Sequence, residues 1–187
     1  MDKLELKKRL ARLLKEKSYL EGDFTLSSGL KSDYYFDCRR TSLHPEGAWL
    51  IGRLFLQMLR PLGIDGLGGM TLGADPLITA VSLAALEEGL RWPGLIVRKE
   101  AKKHGTASTL EGLANFREGQ VLGMLEDVVS TAGSVLQACV AVRGAGLRVV
   151  DVCCVLDREQ GGKEALRSMG CDLHALFTRS ELLSLAE

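Results

Sequence analysis

In the first segment of the chain, Leu6, Leu10, Leu13 and Leu14 recur at helical spacing with lysines and arginines between them, which predicts an amphipathic helix. Residues 24–37 place two β-prone runs around a polar turn at Ser28-Gly29, the pattern of a hairpin. Pro45 suits the first position of a helix that carries Trp49, Leu50, Leu54, Phe55 and Met58 toward a core. From Ile64 onward the period alternates. Apolar strands are expected at 64–68, 95–97, 121–125, 149–156 and 173–177, with helical segments at 76–86, 134–143 and 163–169. A polar stretch from Lys99 to Gly119 interrupts them, and Thr178-Arg-Ser-Glu181 is a capping box before a last short helix. This alternation predicts an α/β fold with a mostly parallel sheet flanked by helices. Ligands of such sheets bind beyond the carboxyl ends of the strands, here the loops after Gly68, Val97, Leu125 and Leu156.

Composition narrows the class. A chain of 187 residues suits a single domain, taken as 1–187. With 24 basic against 24 acidic side chains, it lacks the broad positive surface that tracks phosphates, so no nucleic-acid partner is expected. No stretch approaches the ~20 apolar residues of a membrane span, so no membrane partner is expected. The opening MDKLELKKRLARLLKEK is too charged for a secretory signal. Cys38, Cys139, Cys153, Cys154 and Cys171 are odd in number, lack CxxC spacing and mostly sit in apolar runs. They read as buried thiols of a cytoplasmic protein, neither disulfides nor zinc ligands.

The segment richest in chemistry is Val121-Leu-Gly-Met-Leu-Glu-Asp-Val-Val-Ser-Thr-Ala-Gly-Ser-Val135. A buried strand leads to Glu126 and Asp127, then Val128, Val129 and a turn of Ser130, Thr131, Ala132, Gly133 and Ser134 before a helix. Small residues at a helix N-terminus let several backbone N–H groups face one anion. It is not a Walker loop, because no Gly-Lys-Ser/Thr closes it. Two adjacent acids would repel a phosphate, but they suit sugar hydroxyls or a share of a magnesium ion. Composition alone fits almost equally a turn whose polar side chains satisfy backbone donors.

This segment resembles the phosphoribosyl diphosphate (PRPP) motif of the type I phosphoribosyltransferases, and with it the phosphate reading prevails. A second segment, Arg98-Lys-Glu-Ala-Lys-Lys-His-Gly105, taken by itself fits a solvated charged turn. It resembles the mobile catalytic loop of the orotate phosphoribosyltransferases, with Gly105 and Gly112 as hinges. Residues 24–35, 69–76 and 156–162 resemble, in order, that family's hairpin over the base site, its pyrophosphate-side loop and its arginine-bearing strand end. Purine phosphoribosyltransferases and PRPP-sensing, nucleic-acid-binding regulators of the same fold are the competing classes; the first are not expected to carry this loop, and zero net charge with an intact loop lysine disfavours the second.

The resemblance implies a type I phosphoribosyltransferase fold with a small N-terminal helix and hairpin, residues 1–40, as a hood over the base site. It implies transfer of the 5-phosphoribosyl group from PRPP to orotate, giving orotidine 5′-monophosphate and pyrophosphate in pyrimidine (UMP) biosynthesis. The catalytic residues would be Lys102 and His104. PRPP would be held by Arg98, Lys99, Lys102, His104, Glu126, Asp127, Val128, Val129, Ser130, Thr131, Ala132, Gly133 and Ser134. Ser130 and Arg158 would read orotate. Mg2+ would be the cofactor, held mainly by PRPP, with no dedicated metal ligands. A homodimer would share the mobile loop between subunits; the apolar faces near Leu10 and Trp49 fit an interface and the core equally well. Three positions depart from the family pattern. Ala132 stands where glycine is common, which requires φ below zero there, and Leu72 and Ser27 stand where some members carry lysine.

Overall fold

A computed structural model describes residues 2–25, 31–100 and 109–185. Helix α1 (Lys3–Ser18) leads into an antiparallel pair, β1 (Tyr19–Thr25) and β2 (Lys31–Phe36). The expected Ser28-Gly29 turn lies outside the described residues. A short helix α2 (Arg39–Ser42) precedes α3 (Pro45–Leu59), which opens with proline in its first turn as its sequence requires.

The remaining elements alternate: β3 (Gly66–Met70), α4 (Asp75–Glu87), β4 (Gly94–Val97), β5 (Leu110–Glu111), β6 (Val121–Val129), α5 (Gly133–Gly144), β7 (Arg148–Asp157), α6 (Gly162–Ser168), β8 (Leu173–Thr178) and α7 (Arg179–Leu185). They build a six-stranded sheet in the order β5-β4-β3-β6-β7-β8, parallel except for β5 against β4. The order runs outward from β3 through β4 on one side and through β6 on the other. The carboxyl ends of β3 and β6 therefore diverge into loops on opposite faces and leave a crevice between them.

Both faces are covered. Leu6, Leu10 and Leu14 of α1, with Leu50, Phe55, Leu77 and Val81 of α3 and α4, pack with Leu67, Leu125, Val155 and Phe177 of the sheet. Val135, Ala138, Cys139 and Val142 of α5 and Leu166 of α6 pack the other face against Leu95, Leu122, Met124 and Val152. The strands buried on both sides are thus the ones written as continuous apolar runs.

The structure corrects several expectations. Trp49 does not enter the core: it is 43% exposed, under the Arg53 guanidinium, because the helical stripe toward the sheet is already filled by Leu50, Leu54 and Phe55. Leu10 is fully buried, so it serves the core and cannot supply an interface. Strand β6 runs to Val129, four residues beyond the expected end at Leu125, because pairing with β7 continues through Val129↔Asp157. The polar stretch after Lys99 is not structureless, since β5 pairs with β4 at Val97↔Leu110. Gly112 is no hinge: its φ is +90° and a Cβ there would lie 2.5 Å from the Gly94 carbonyl oxygen, so it is a packed turn that only glycine fits. The capping box is half made, with the Glu181 N–H donating to Thr178 Oγ1 at 3.2 Å. All five cysteines are free and buried.

Candidate active site

A cleft of about 760 Å³ opens where the carboxyl ends of β3 and β6 diverge, lined by residues 35–37, 39, 70–73, 98–100 and 126–135. Its floor is the end of β6. Because β6 is longer than expected, Glu126 and Asp127 are strand residues held by the ladder to β7, not loop residues. Glu126 is buried, and burial first, then the neighbouring Asp127 charge, pushes its carboxyl well above the ordinary glutamate range. The Asp127 N–H donates to Glu126 Oε1 at 3.2 Å, and the Val128 N–H donates to Asp127 Oδ1 at 2.8 Å. The two carboxyls are thus oriented by backbone donors while still facing the cleft. The β3–α4 loop closes on the same acid: a Cβ on Gly73 would sit 2.6 Å from Asp127 Oδ1, so the bare backbone there is what lets the loop approach. Thr71 Oγ1 donates to Asp75 Oδ2 at 2.8 Å, tying that loop to the start of α4.

Ser130 to Ser134 form the turn into α5. The first helical hydrogen bond runs from the Leu136 N–H to the Ala132 carbonyl, so the N–H groups of residues 133–135 have no partner within the helix. A Cβ on Gly133 would meet nothing within 4 Å, which leaves this side of the turn open to a ligand. The expectation for Ala132 fails. Its φ is +67° and ψ 7°, a left-handed conformation in which its Cβ costs about 1–2 kcal/mol. The turn keeps the geometry of a glycine because α5 and β6 fix both of its ends, and the alanine bears the strain.

Positive charge enters from the third side. Arg98 hydrogen-bonds through its backbone N–H to Thr109 and through Nη1 to Glu111 Oε1 at 3.2 Å, and Lys99 is exposed beside it. Lys102, His104 and Gly105, the heart of the cationic motif, lie outside the described residues, as does Ser27. Leu72 is 65% exposed at the rim.

Arg158 follows the end of β7, and its N–H donates to the Val129 carbonyl at 2.8 Å. Its backbone therefore adjoins Ser130, but its side chain does not line the cleft. It turns instead to Tyr34 of β2, donating from Nε to the phenol oxygen at 2.9 Å. The structure thus brings Arg98, Lys99 and 126–134 into one crevice and sets Arg158 at its edge, against the hairpin.

Sequence reasoning set residues 1–40 as a hood over the base site but named no site residue among them, and a fourth wall comes from there. Tyr35, Phe36, Asp37 and Arg39, at the end of the hairpin, line the cleft. Asp37 Oδ1 accepts from Arg39 Nε at 2.9 Å and from the Arg39 N–H at 3.3 Å. Beneath them lies the buried Cys38 thiol, pushed far up by burial and by Asp127, Asp37 and Glu126, which makes it an inert neighbour and not a nucleophile. For Asp37 and Arg39 the only sequence signal was an acid and two arginines directly after the hairpin, which reads equally well as a solvated turn.

A sheet-edge crevice that joins paired carboxyls, an open helix N-terminus and a cationic rim defines a protein that binds a phosphorylated sugar at a switch point of an α/β fold. No family model matches the chain. It is 46% identical over 178 residues to the orotate phosphoribosyltransferase of Thermosynechococcus vestitus, covering 95% of this chain and 93% of the relative. It is 45% identical over 177 residues to the orotate phosphoribosyltransferase of Nostoc sp., covering 95% and 85%. The crystal structure of Mycobacterium tuberculosis orotate phosphoribosyltransferase in complex with PRPP superposes with a TM-score of 0.80 at 34% identity, covering 95% of this chain and 98% of that one. The chain belongs to the orotate phosphoribosyltransferase family.

Proposed function

We propose that the protein transfers the 5-phosphoribosyl group of PRPP to orotate, releasing pyrophosphate and forming orotidine 5′-monophosphate for UMP synthesis. The observation that carries this reading is the meeting of Glu126, Asp127 and the 130–134 turn in one cleft with Arg98 and Lys99 opposite. In this reading the open N–H groups at the start of α5 hold the 5′-phosphate, and the two carboxyls accept hydrogen bonds from the ribose hydroxyls. A Glu126 carboxyl that holds its proton more tightly than usual can also donate to a ribose oxygen until that proton is lost.

Displacement at the anomeric carbon builds negative charge on the departing pyrophosphate. Arg98 and Lys99, with Lys102 and His104 from the loop, stabilise that charge, and closure of the loop excludes water. No enzyme nucleophile is needed. Ser130 and Arg158 read the base, the guanidinium offering two donors to the orotate carboxylate. Residues 1–40 act as the hood, with Tyr35 and Phe36 at the base side of the cleft.

Among the described residues no cluster of three or more metal-binding side chains occurs, while Glu126 and Asp127 face the cleft. That donor set fits a Mg2+ ion held mainly by the substrate's own oxygens, with Asp127 and Glu126 at its margin. Bound there, the ion would neutralise diphosphate charge. The protein works in the cytoplasm as a homodimer whose partner subunit supplies the loop. The half-exposed Trp49, with the exposed Leu83 and Leu86 of the adjoining helix, supports such an interface. Among the described residues no helix is long and apolar enough to cross a membrane.

The test is turnover with PRPP and Mg2+ against orotate, uracil, adenine and hypoxanthine. Orotate alone should be consumed. A purine substrate would overturn the base assignment, and PRPP binding without turnover of any base would overturn the enzyme. Arg158→Ala should raise the orotate requirement strongly while PRPP binding stays nearly intact by isothermal titration.

A further inference from the structure

The cleft wall that follows β2 is firmly anchored. The Asp37 N–H donates to the Ser18 carbonyl at 3.0 Å, and Cys38 beside it is buried in the core shared with α1, α3 and α4. Thr41 is fully buried, its Oγ1 sharing a hydrogen bond with Ser18 Oγ at 2.7 Å. Gly47 of α3 packs so closely on Thr41 that a Cβ there would lie 2.1 Å from the Thr41 carbonyl oxygen. Arg39 begins α2 between these anchors, so its backbone is held in place while its side chain stays 44% exposed and lines the cleft.

Asp37 orients the Arg39 guanidinium without exhausting it. Its Oδ1 accepts from Nε at 2.9 Å, whereas the two terminal amino groups of Arg39 donate to no described residue. The hydrogen bond to Asp37, then the Asp37 charge and to a smaller extent Asp127, raise the guanidinium above its ordinary range, so Asp127 lies within electrostatic reach of Arg39. The other flank of Asp127 meets Gly73 of the β3–α4 loop, and that stretch, Met70-Thr-Leu-Gly73, brings no charge to the cleft. Arg158 and Arg179 bring none either. Their guanidinium carbons lie 4.7 and 4.4 Å from the Tyr34 ring centre, and neither residue lines the cleft. Among the described residues the cations that line it are Arg39, Arg98 and Lys99. Arg98 is tied to Glu111 at 3.2 Å and Lys99 faces Glu126, which leaves Arg39 as the cation on the Asp127 side.

We propose that Arg39 binds the diphosphate of PRPP, and the pyrophosphate that departs from it, through its two terminal amino groups. This rests on the reading of the cleft as a PRPP site. Helix α5, which holds the 5′-phosphate in that reading, packs on one face of the sheet, and Arg39 enters from the other. With the ribose over Glu126 and Asp127 between them, the diphosphate end of the substrate falls on the Arg39 side. A guanidinium held at Nε by a carboxylate offers its two remaining nitrogens as a fork, which matches two phosphoryl oxygens. The charge growing on the leaving pyrophosphate is then met from two sides, by Arg39 and by Arg98 with Lys99.

The experiment is titration calorimetry of the whole chain at fixed Mg2+ with PRPP, pyrophosphate and ribose 5-phosphate, for wild type, Arg39→Gln and Arg39→Lys. Arg39→Gln should weaken pyrophosphate and PRPP about tenfold or more, the scale of one lost charge-assisted contact. Ribose 5-phosphate, which carries no diphosphate, should bind within about twofold of wild type. Arg39→Lys keeps the charge but not the fork and should recover part of the loss. In steady-state kinetics the PRPP KM should rise in Arg39→Gln while the orotate KM holds. If Arg39→Gln does not fold, Arg39→Lys reads the same contact as a smaller loss confined to the diphosphate ligands. Pyrophosphate affinity within about twofold of wild type in the folded variants, or an equal loss of ribose 5-phosphate, overturns the role of Arg39. A wild-type protein that binds neither PRPP nor pyrophosphate overturns the functional reading itself, and the role of Arg39 with it.

Discussion

Gly162 lies outside the cleft, yet substituting it should disable the phosphate turn. It begins α6, and a Cβ built on it would lie 2.5 Å from Val129 Cγ1, 2.7 Å from the Ser130 carbonyl oxygen and 3.4 Å from the Ala132 nitrogen. Its backbone φ is open to any residue, so Gly162→Ala tests contact and not strain. Moving the Ser130 oxygen from 2.7 Å to an ordinary contact near 3.4 Å requires a shift of about 0.7 Å in the turn. Overpacking of this kind costs about 1–3 kcal/mol, or about 2–12 °C in Tm for a domain of this size. Misplacement approaching 1 Å at a binding site costs up to ~10²-fold, so PRPP affinity should fall at least about tenfold. Gly161→Ala is the control. That residue has φ +88° and nothing within 4 Å of a Cβ, so the variant bears backbone strain of about 1–2 kcal/mol without pressing on the turn. Differential scanning calorimetry should show both variants destabilised, and titration calorimetry should show PRPP binding weakened only in Gly162→Ala. If Gly162→Ala binds PRPP as wild type does, or Gly161→Ala loses affinity equally, the contact argument is wrong.

Gly133→Val should fold, because its side chain enters open space, and should abolish PRPP binding by blocking the anion side of the turn; unaltered affinity would sink the cradle. Glu126 tests linkage. Its folded carboxyl titrates above the unfolded value, so stability is undiminished below the ordinary glutamate range and declines as pH rises through the folded value, then stays flat. Glu126→Gln should therefore be stabilised relative to wild type at pH 7.5 more than at pH 4, read from urea midpoints; the reverse ordering would refute the buried-carboxyl assignment. Lys102→Ala should lose ~10²–10³ in turnover with PRPP affinity less affected, the scale for one group that stabilises leaving-group charge. Mixed under subunit exchange with an Asp127→Ala enzyme, it should regain part of its activity if the loop serves the neighbouring site, and two dead parents that exchange without recovery would place the loop in its own subunit.

The alternating apolar strands and helices were legible because both report local period, and the parallel sheet covered on both faces follows from strands apolar on every residue. The 126–134 segment was legible for a related reason: its chemistry lies in contiguous residues, and helix α5 begins where the small residues indicate. Tertiary structure decided what depends on residues distant in sequence. Pairing with β7 drew Glu126 and Asp127 into the strand, and packing between α5 and β6 forced Ala132 into a glycine's conformation that its own preference opposes. Trp49 looked like a core residue because period fixes which helix face is apolar, not how wide the buried stripe becomes. The Arg158, Tyr34 and Arg179 cluster joins side chains as much as 145 positions apart, a difference taken between residues 34 and 179, and no local signal encodes such a meeting. Contiguous chemistry follows from the order of residues, whereas convergent chemistry exists only once the sheet has set its strands side by side.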